Sequence, residues 1–128
     1  MSIEHLAIWV KDLEGMKAFY LKFFELSQNE KYHNPVKNFS SYFLSFPSGA
    51  RIELMQKPEI SAAANDNGMS LGIAHFAISV GSKEKVDEFT EMVRANGCQI
   101  VGEPRRTGDG YYESVIADPE GNLIEITL

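Results

Sequence analysis

Two histidines and two glutamates are the groups in this chain best able to do chemistry together. His5 lies 48 residues before Glu53, and His75 lies 50 residues before Glu125. His5 is also 14 residues before Phe19, as His75 is 14 residues before Phe89. The same landmarks therefore occur twice at matched spacings, as in an internal repeat. Two imidazole nitrogens and two carboxylates suit a divalent cation such as Ni²⁺, Co²⁺, Zn²⁺ or Mn²⁺. A cation there would offset the cost of sequestering two like charges, and its open positions would serve water or substrate. One histidine or one glutamate on a strand is more often structural or solvent-facing. Four at equivalent places make the metal site the stronger reading.

The elements that must position these groups follow from hydrophobic periodicity. Residues 3–10 alternate as a strand, with Leu6, Ile8 and Val10 on one side and His5, Ala7 and Trp9 on the other. Asp12 caps a helix expected to run to about Glu25, with Leu13, Met16, Phe19, Tyr20 and Phe23 as its apolar stripe. Strands over 40–46 and 50–55 follow, joined by the Pro47–Ser48–Gly49 turn. Residues 57–70 lack periodicity and read as a linking loop, with a short helical turn conceivable at 63–64. Residues 71–80 then read as a strand with His75 in its middle. Ser82 caps a helix over 83–95, striped by Val86, Phe89, Met92 and Val93 and stopped by Asn96–Gly97. CQIVG reads as a short strand, EPRRTGDG as a loop, 111–117 as a strand, Asp118 to Gly121 as a tight turn and NLIEITL as the closing strand.

This order is one βαβββ module, over 1–60, followed by a second, over 71–128. The fold class expected is α+β, a single domain over 1–128. The alternation sends Leu6, Ile8, Val10, Ile52, Leu54, Phe76, Ile78, Val80, Ile124 and Ile126 toward the helices. His5, Glu53, His75 and Glu125 are left on the opposite, concave side. His33, in the polar stretch NEKYHNPV, reads as surface. Arg51 shares the side of Glu53, and Arg105 and Arg106 sit in the expected loop; guanidinium groups suit a substrate anion.

Composition narrows the class. With 44% hydrophobic and 23% charged residues the chain is an ordinary globular one. A net charge of −6 argues against nucleic acid or an anionic membrane as partner. No apolar run approaches the roughly 20 residues needed to span a bilayer. The N-terminus has no signal-peptide pattern, and Cys98 is the single cysteine, which fits a reducing, cytoplasmic setting.

The segments IEHLAIWVKDLEGMKAFYLKFF, RIELM, GIAHFAISV with its following helix, and DPEGNLIEI resemble the vicinal oxygen chelate superfamily, also called the glyoxalase, bleomycin resistance and dioxygenase superfamily. The likeness spans residues 3–127, and DPEGNLIEI is its most specific part. The resemblance implies paired βαβββ modules forming an incomplete barrel around a metal site. It implies His5, Glu53, His75 and Glu125 as metal ligands, the set found in bacterial glyoxalase I. Extradiol dioxygenases and fosfomycin-modifying enzymes lack the glutamate at the place of Glu53. Methylmalonyl-CoA epimerases usually have glutamine there, and bleomycin-binding members lack the set.

The glyoxalase I (lactoylglutathione lyase) branch is thus the nearest expectation. It implies a metal-dependent isomerase or lyase acting on a small α-oxo or hemithioacetal substrate, such as a thiol adduct, by proton transfer through a metal-bound enediolate. Glu125 would be the base, Glu53 the second proton handler, and a homodimer the common assembly. Trp9 stands where glyoxalase I commonly has a glutathione-binding arginine, and KPEISAAANDNG lacks a match to the glutathione-binding segment. The alternatives are another enzyme of the superfamily, an epimerase or dioxygenase, or a small-ligand binding protein of bleomycin-resistance type. Trp9, Phe43 and Met55 are candidates to line the pocket.

Overall fold

The computed structural model describes residues 2–60 and 71–128. The chain divides into two units, Met1–Ala63 and Ala64–Leu128. The first contains β1 (His5–Trp9), α1 (Leu13–Phe23), β2 (Ser27–Gln28), β3 (Tyr32–Asn34), β4 (Phe39–Ser45) and β5 (Arg51–Gln56). The second contains β6 (Phe76–Ser79), α2 (Lys83–Ala95), β7 (Gln99–Arg106), β8 (Tyr112–Ala117) and β9 (Leu123–Thr127). Each unit thus has the βαβββ plan, the first with its third element broken into two short strands.

The two sheets share one topology. In the first the order is β1-β5-β4, with β2 and β3 both on β4; in the second it is β6-β9-β8-β7. The first strand of each unit runs parallel to its last, and the other pairings are antiparallel. Each sheet is an open path of strands, not a closed barrel.

Local chemistry explains the helices. The Asp12 carboxylate accepts from the Gly15 N–H at 3.0 Å, and Glu14 and Lys22 complement the ends of the α1 dipole. α1 stops at Phe23, two residues short of the sequence expectation, because Phe24 turns extended while its N–H still reaches the Tyr20 carbonyl. The Ser82 hydroxyl accepts from the Lys85 N–H at 3.2 Å to cap α2. α2 ends where Gly97 enters the left-handed region (φ +81°) and Cys98 N–H returns to the Val93 carbonyl.

α1 buries Leu13, Met16, Phe19 and Tyr20, and Tyr42, Leu44, Ile52 and Leu54 are the buried apolar residues of β4 and β5. α2 buries Val86, Thr90 and Val93, alongside buried Ile116, Ile124 and Ile126 of β8 and β9. Met92, expected in that stripe, is exposed; Thr90 takes a core place instead. It can do so because its hydroxyl donates to the Val86 carbonyl at 2.7 Å and meets the buried Ser114 hydroxyl at 2.7 Å.

Further differences from the sequence expectation concern the strands. β6 covers only Phe76–Ser79, so His75 precedes the strand, although the register would set it opposite Leu123 at the start of β9. EPRR belongs to β7 and is not loop; Pro104 is tolerated because β7 is an edge strand with register shifts around Gly102. NEKYHNPV holds β3, whose polar composition hides a short edge strand; His33 is exposed there, with Nδ1 2.9 Å from Ser40 Oγ. Of the expected loop 57–70, residues 57–60 form a turn closed by Ile60 N–H on the Lys57 carbonyl, and 61–70 lie outside the described residues. Among the described residues no helix is long and apolar enough to cross a membrane.

The Thr90–Ser114 pair gives a first expectation. Thr90→Val strands a buried hydroxyl and should cost about 1–3 kcal/mol in urea unfolding, while adding Ser114→Ala should restore part of the loss. Strict additivity of the two changes would contradict the pairing. A second concerns Glu14, whose carboxylate accepts from Lys17 Nζ at 2.5 Å, Lys31 Nζ at 2.9 Å and the Tyr42 hydroxyl at 3.2 Å. The two ammonium groups hold its carboxyl down at about 2, against an ordinary 4.5. A depressed folded value contributes stability above the unfolded value, lost as pH falls toward 2. Its exposure keeps this below about 1 kcal/mol. The stability gap between the parent and Glu14→Gln should therefore close on acidification from about pH 6 to about pH 2. A gap constant with pH would contradict it.

Candidate functional site

Strand register builds the site face of each unit. Alternation along β1 leaves His5, Ala7 and Trp9 exposed while Leu6 and Ile8 turn inward. Along β5, Ile52 and Leu54 are buried, and Arg51, Glu53 and Met55 take the other side. The parallel register sets Ala7 opposite Glu53, so Glu53 lies one same-face step beyond His5. The second unit repeats this, with Ala77 opposite Glu125 and His75 two residues before Ala77. In both units the residue directly opposite the glutamate is an alanine, whose small side chain leaves room for the diagonal histidine to approach. His5 Nε2 lies 3.8 Å from Glu53 Oε2, and His75 Nε2 lies 3.1 Å from Glu125 Oε1. The turn feeding β9 is itself locked. Asp118 Oδ1 accepts from the backbone N–H of Glu120 and of Asn122, and Oδ2 accepts from the Asn122 side chain at 2.8 Å.

The glutamates are the drier partners. The Glu53 and Glu125 side chains are 15% and 19% exposed, against 39% and 44% for His5 and His75. Burial pushes the Glu125 carboxyl above its ordinary range; His75 and Arg105 pull it back and Glu113 pushes it further up. Neither glutamate has a lysine or arginine in ion-pair contact among the described residues. Each unit therefore holds a largely buried carboxylate that faces an imidazole, a pair of groups able to ligate a metal ion.

Each pair has a different surround. Around His5, Nδ1 lies 2.5 Å from Glu4 Oε2, while Glu4 Oε1 pairs with Arg51. The Arg51 guanidinium lies 4.0 Å from the centroid of Phe43, whose ring also meets His5 edge-on at 5.5 Å. With Nδ1 committed to Glu4, Nε2 is the nitrogen that faces Glu53. In the second unit a buried carboxylate, Glu113, sits opposite Thr127 of β9, with Arg105 Nη2 3.4 Å from its Oε1.

The sequence-derived set is thus found as two pairs, His5 with Glu53 and His75 with Glu125. Among the described residues no group of three or more His, Cys, Asp or Glu side chains stands close enough to hold a metal ion. Sequence reading missed Glu4, Glu113 and the two alanines. The alanines had a signal, since His-x-Ala recurs at 5–7 and 75–77. Glu113 had none, because the turn-rich EPRRTGDG conceals that its partner Arg105 lies on a strand.

Known proteins share this plan. The chain is 24% identical to the Bacillus subtilis protein YqjT, over 97% of this chain and 96% of that one. The solved lactoylglutathione lyase of Agrobacterium tumefaciens is 26% identical, with a TM-score of 0.72 and 98% and 92% of the two chains covered. Glyoxalase I of Zea mays is 24% identical with a TM-score of 0.79, over 98% of this chain. The chain spans only 43% of the length of that maize protein. With residues 2–126 matching its description, the chain belongs to the Glyoxalase/Bleomycin resistance protein/Dioxygenase superfamily.

Proposed function

We propose that this chain is a metal-dependent isomerase or lyase of glyoxalase I type, acting on a small α-oxo or hemithioacetal substrate. His5, Glu53, His75 and Glu125 together would hold one Ni²⁺, Co²⁺, Zn²⁺ or Mn²⁺ ion. The observation that carries this reading is the repeated register. Two histidine–glutamate pairs, each with an alanine opposite the glutamate, occupy equivalent places on the side of each sheet away from its helix. The two modules, 1–60 and 71–128, would form one domain whose sheets make an incomplete barrel around the ion. They would pair within a chain or between the chains of a homodimer.

The ion would supply Lewis-acid polarisation of the substrate carbonyl and stabilise negative charge developing beside it. The proton work belongs to the chain. Glu125 takes the proton from the carbon next to the carbonyl, and Glu53 handles proton return at the neighbouring carbon. Each needs a carboxylate oxygen within about 3 Å of the proton it moves. His5 and His75 act as ligands. Glu4 holds the His5 ring so that Nε2 faces Glu53. Ala7 and Phe43 flank Glu53 in its row and leave its side chain only 15% exposed. The single cysteine fits a cytoplasmic setting.

Calorimetric titration of metal-stripped protein with the four ions should give about one site per chain, weakened in Glu53→Gln and in Glu125→Gln. Undiminished affinity in both variants would contradict the ligand set. Glu125→Gln should also slow isomerisation of a methylglyoxal–thiol adduct by about 10² to 10⁴-fold, the usual worth of a positioned base. An unaltered rate would remove Glu125 from that role. Glu4→Ala should lower metal affinity about 10- to 100-fold, as for other carboxylates behind a ligating histidine. An unchanged dissociation constant would show that Glu4 does not hold His5.

A further inference from the structure

The site face of the first unit is graded in chemistry from row to row. One cross-strand row holds His5, Arg51 and Ser45. The next holds Ala7, Glu53 and Phe43. The third holds Trp9, Met55, Ser41 and Tyr32, spanning β1, β5, β4 and β3. Beside it Phe39 stands edge-on to Trp9 at 6.1 Å and tilted against Tyr32 at 6.0 Å. Three aromatic rings therefore form one continuous strip over a small buried serine. Unlike the helix-side aromatics Phe19 and Tyr20, this strip stays open: Trp9 is 44% and Tyr32 52% exposed.

The strip also stands at a useful distance. Adjacent same-face rows are separated by two residues of strand rise, about 6.6 Å. A substrate whose reacting carbons sit at Glu53 would reach the Trp9 row with one ring. Its polar end would then point the other way, toward the row of His5 and Arg51. No charged side chain belongs to the Trp9–Met55–Ser41–Tyr32 row, so a charged substituent extending there would lose water without gaining a partner.

We propose that Trp9, Phe39 and Tyr32 form a subsite for a planar aromatic substituent, so that this chain prefers aryl α-oxo compounds over their aliphatic counterparts. The proposal rests on the functional reading above only for which residues meet the α-oxo group. Ring stacking on Trp9 and Phe39 supplies the preference, about tenfold for one well-placed aromatic contact.

Trp9 is the single tryptophan, so its emission reports on the strip directly. The test is a fluorescence and calorimetric titration of the full chain, metal-free and metal-loaded, with phenylglyoxylate and with pyruvate. These share the α-oxo acid group and differ in the ring. Phenylglyoxylate should shift Trp9 emission and bind about tenfold tighter than pyruvate. Phe39→Ala, which keeps the reporter, and Trp9→Leu, read by calorimetry, should each bring the two affinities within about twofold, with unchanged circular dichroism. Tyr32→Ser, at the exposed edge, should reduce the preference if Phe39→Ala unfolds the unit.

Equal affinities in the parent protein would overturn the subsite, as would a preference that survives all three substitutions. So would Trp9 emission that changes on dilution and ignores both acids, because a second copy of the chain would then cover the strip. The outcomes separate from those of the functional reading. Isomerisation without aryl preference defeats the subsite alone. Aryl preference in a protein that neither binds metal nor turns over defeats the isomerase reading alone.

Discussion

The parallel pairing of first and last strand in each unit is the constraint on which the site depends. In a parallel pair the register is shared along the whole ladder, so placing one residue places all of them. Setting Ala7 beside Glu53 puts His5 one same-face step away, and setting Ala77 beside Glu125 does the same for His75. A slip of one residue would turn both glutamates into the apolar layer beneath the helices. That slip is opposed by Ile52, Leu54, Ile124 and Ile126, each at most 2% exposed. Core packing and functional geometry are therefore two faces of one register.

Much of this was legible in the residues. Alternation along IEHLAIWV, RIELM and NLIEITL assigns the two faces without any contact information, because a strand has a strict period of two. The helix caps Asp12 and Ser82 were equally readable, since each sits just before an apolar 3.6-residue stripe. What was not legible concerns edges and partners. β3 and the far end of β7 are polar edge strands, one of them carrying Pro104, and an edge strand needs no apolar alternation to form. His75 was placed inside a strand because GIAHFAISV is continuous in pattern. Its pairing with β9 begins one residue later, at Phe76 and Ile124. Glu113 and Glu4 escaped notice because a glutamate's role depends on which neighbour it meets, which no periodicity encodes.

The repeat is equivalent at its histidine–glutamate pairs and different around them. The first unit backs His5 with Glu4 and Arg51 and carries the aromatic strip. The second sets a buried Glu113, met by the exposed Arg105, on the face of Glu125. Such division is what a duplicated module permits. The histidine–glutamate pairs are held common by register, and the flanking rows are free to diverge.

The central claim is that one ion takes an imidazole and a carboxylate from each unit. X-ray absorption at the zinc edge of protein loaded with one Zn²⁺ per chain tests it most directly. The account predicts a shell of nitrogen and oxygen donors near 2.0–2.2 Å with the multiple scattering of two imidazoles, falling to one in His75→Ala. A spectrum with a sulfur donor near 2.3 Å, or one whose imidazole scattering is unchanged by loss of His75, would contradict it.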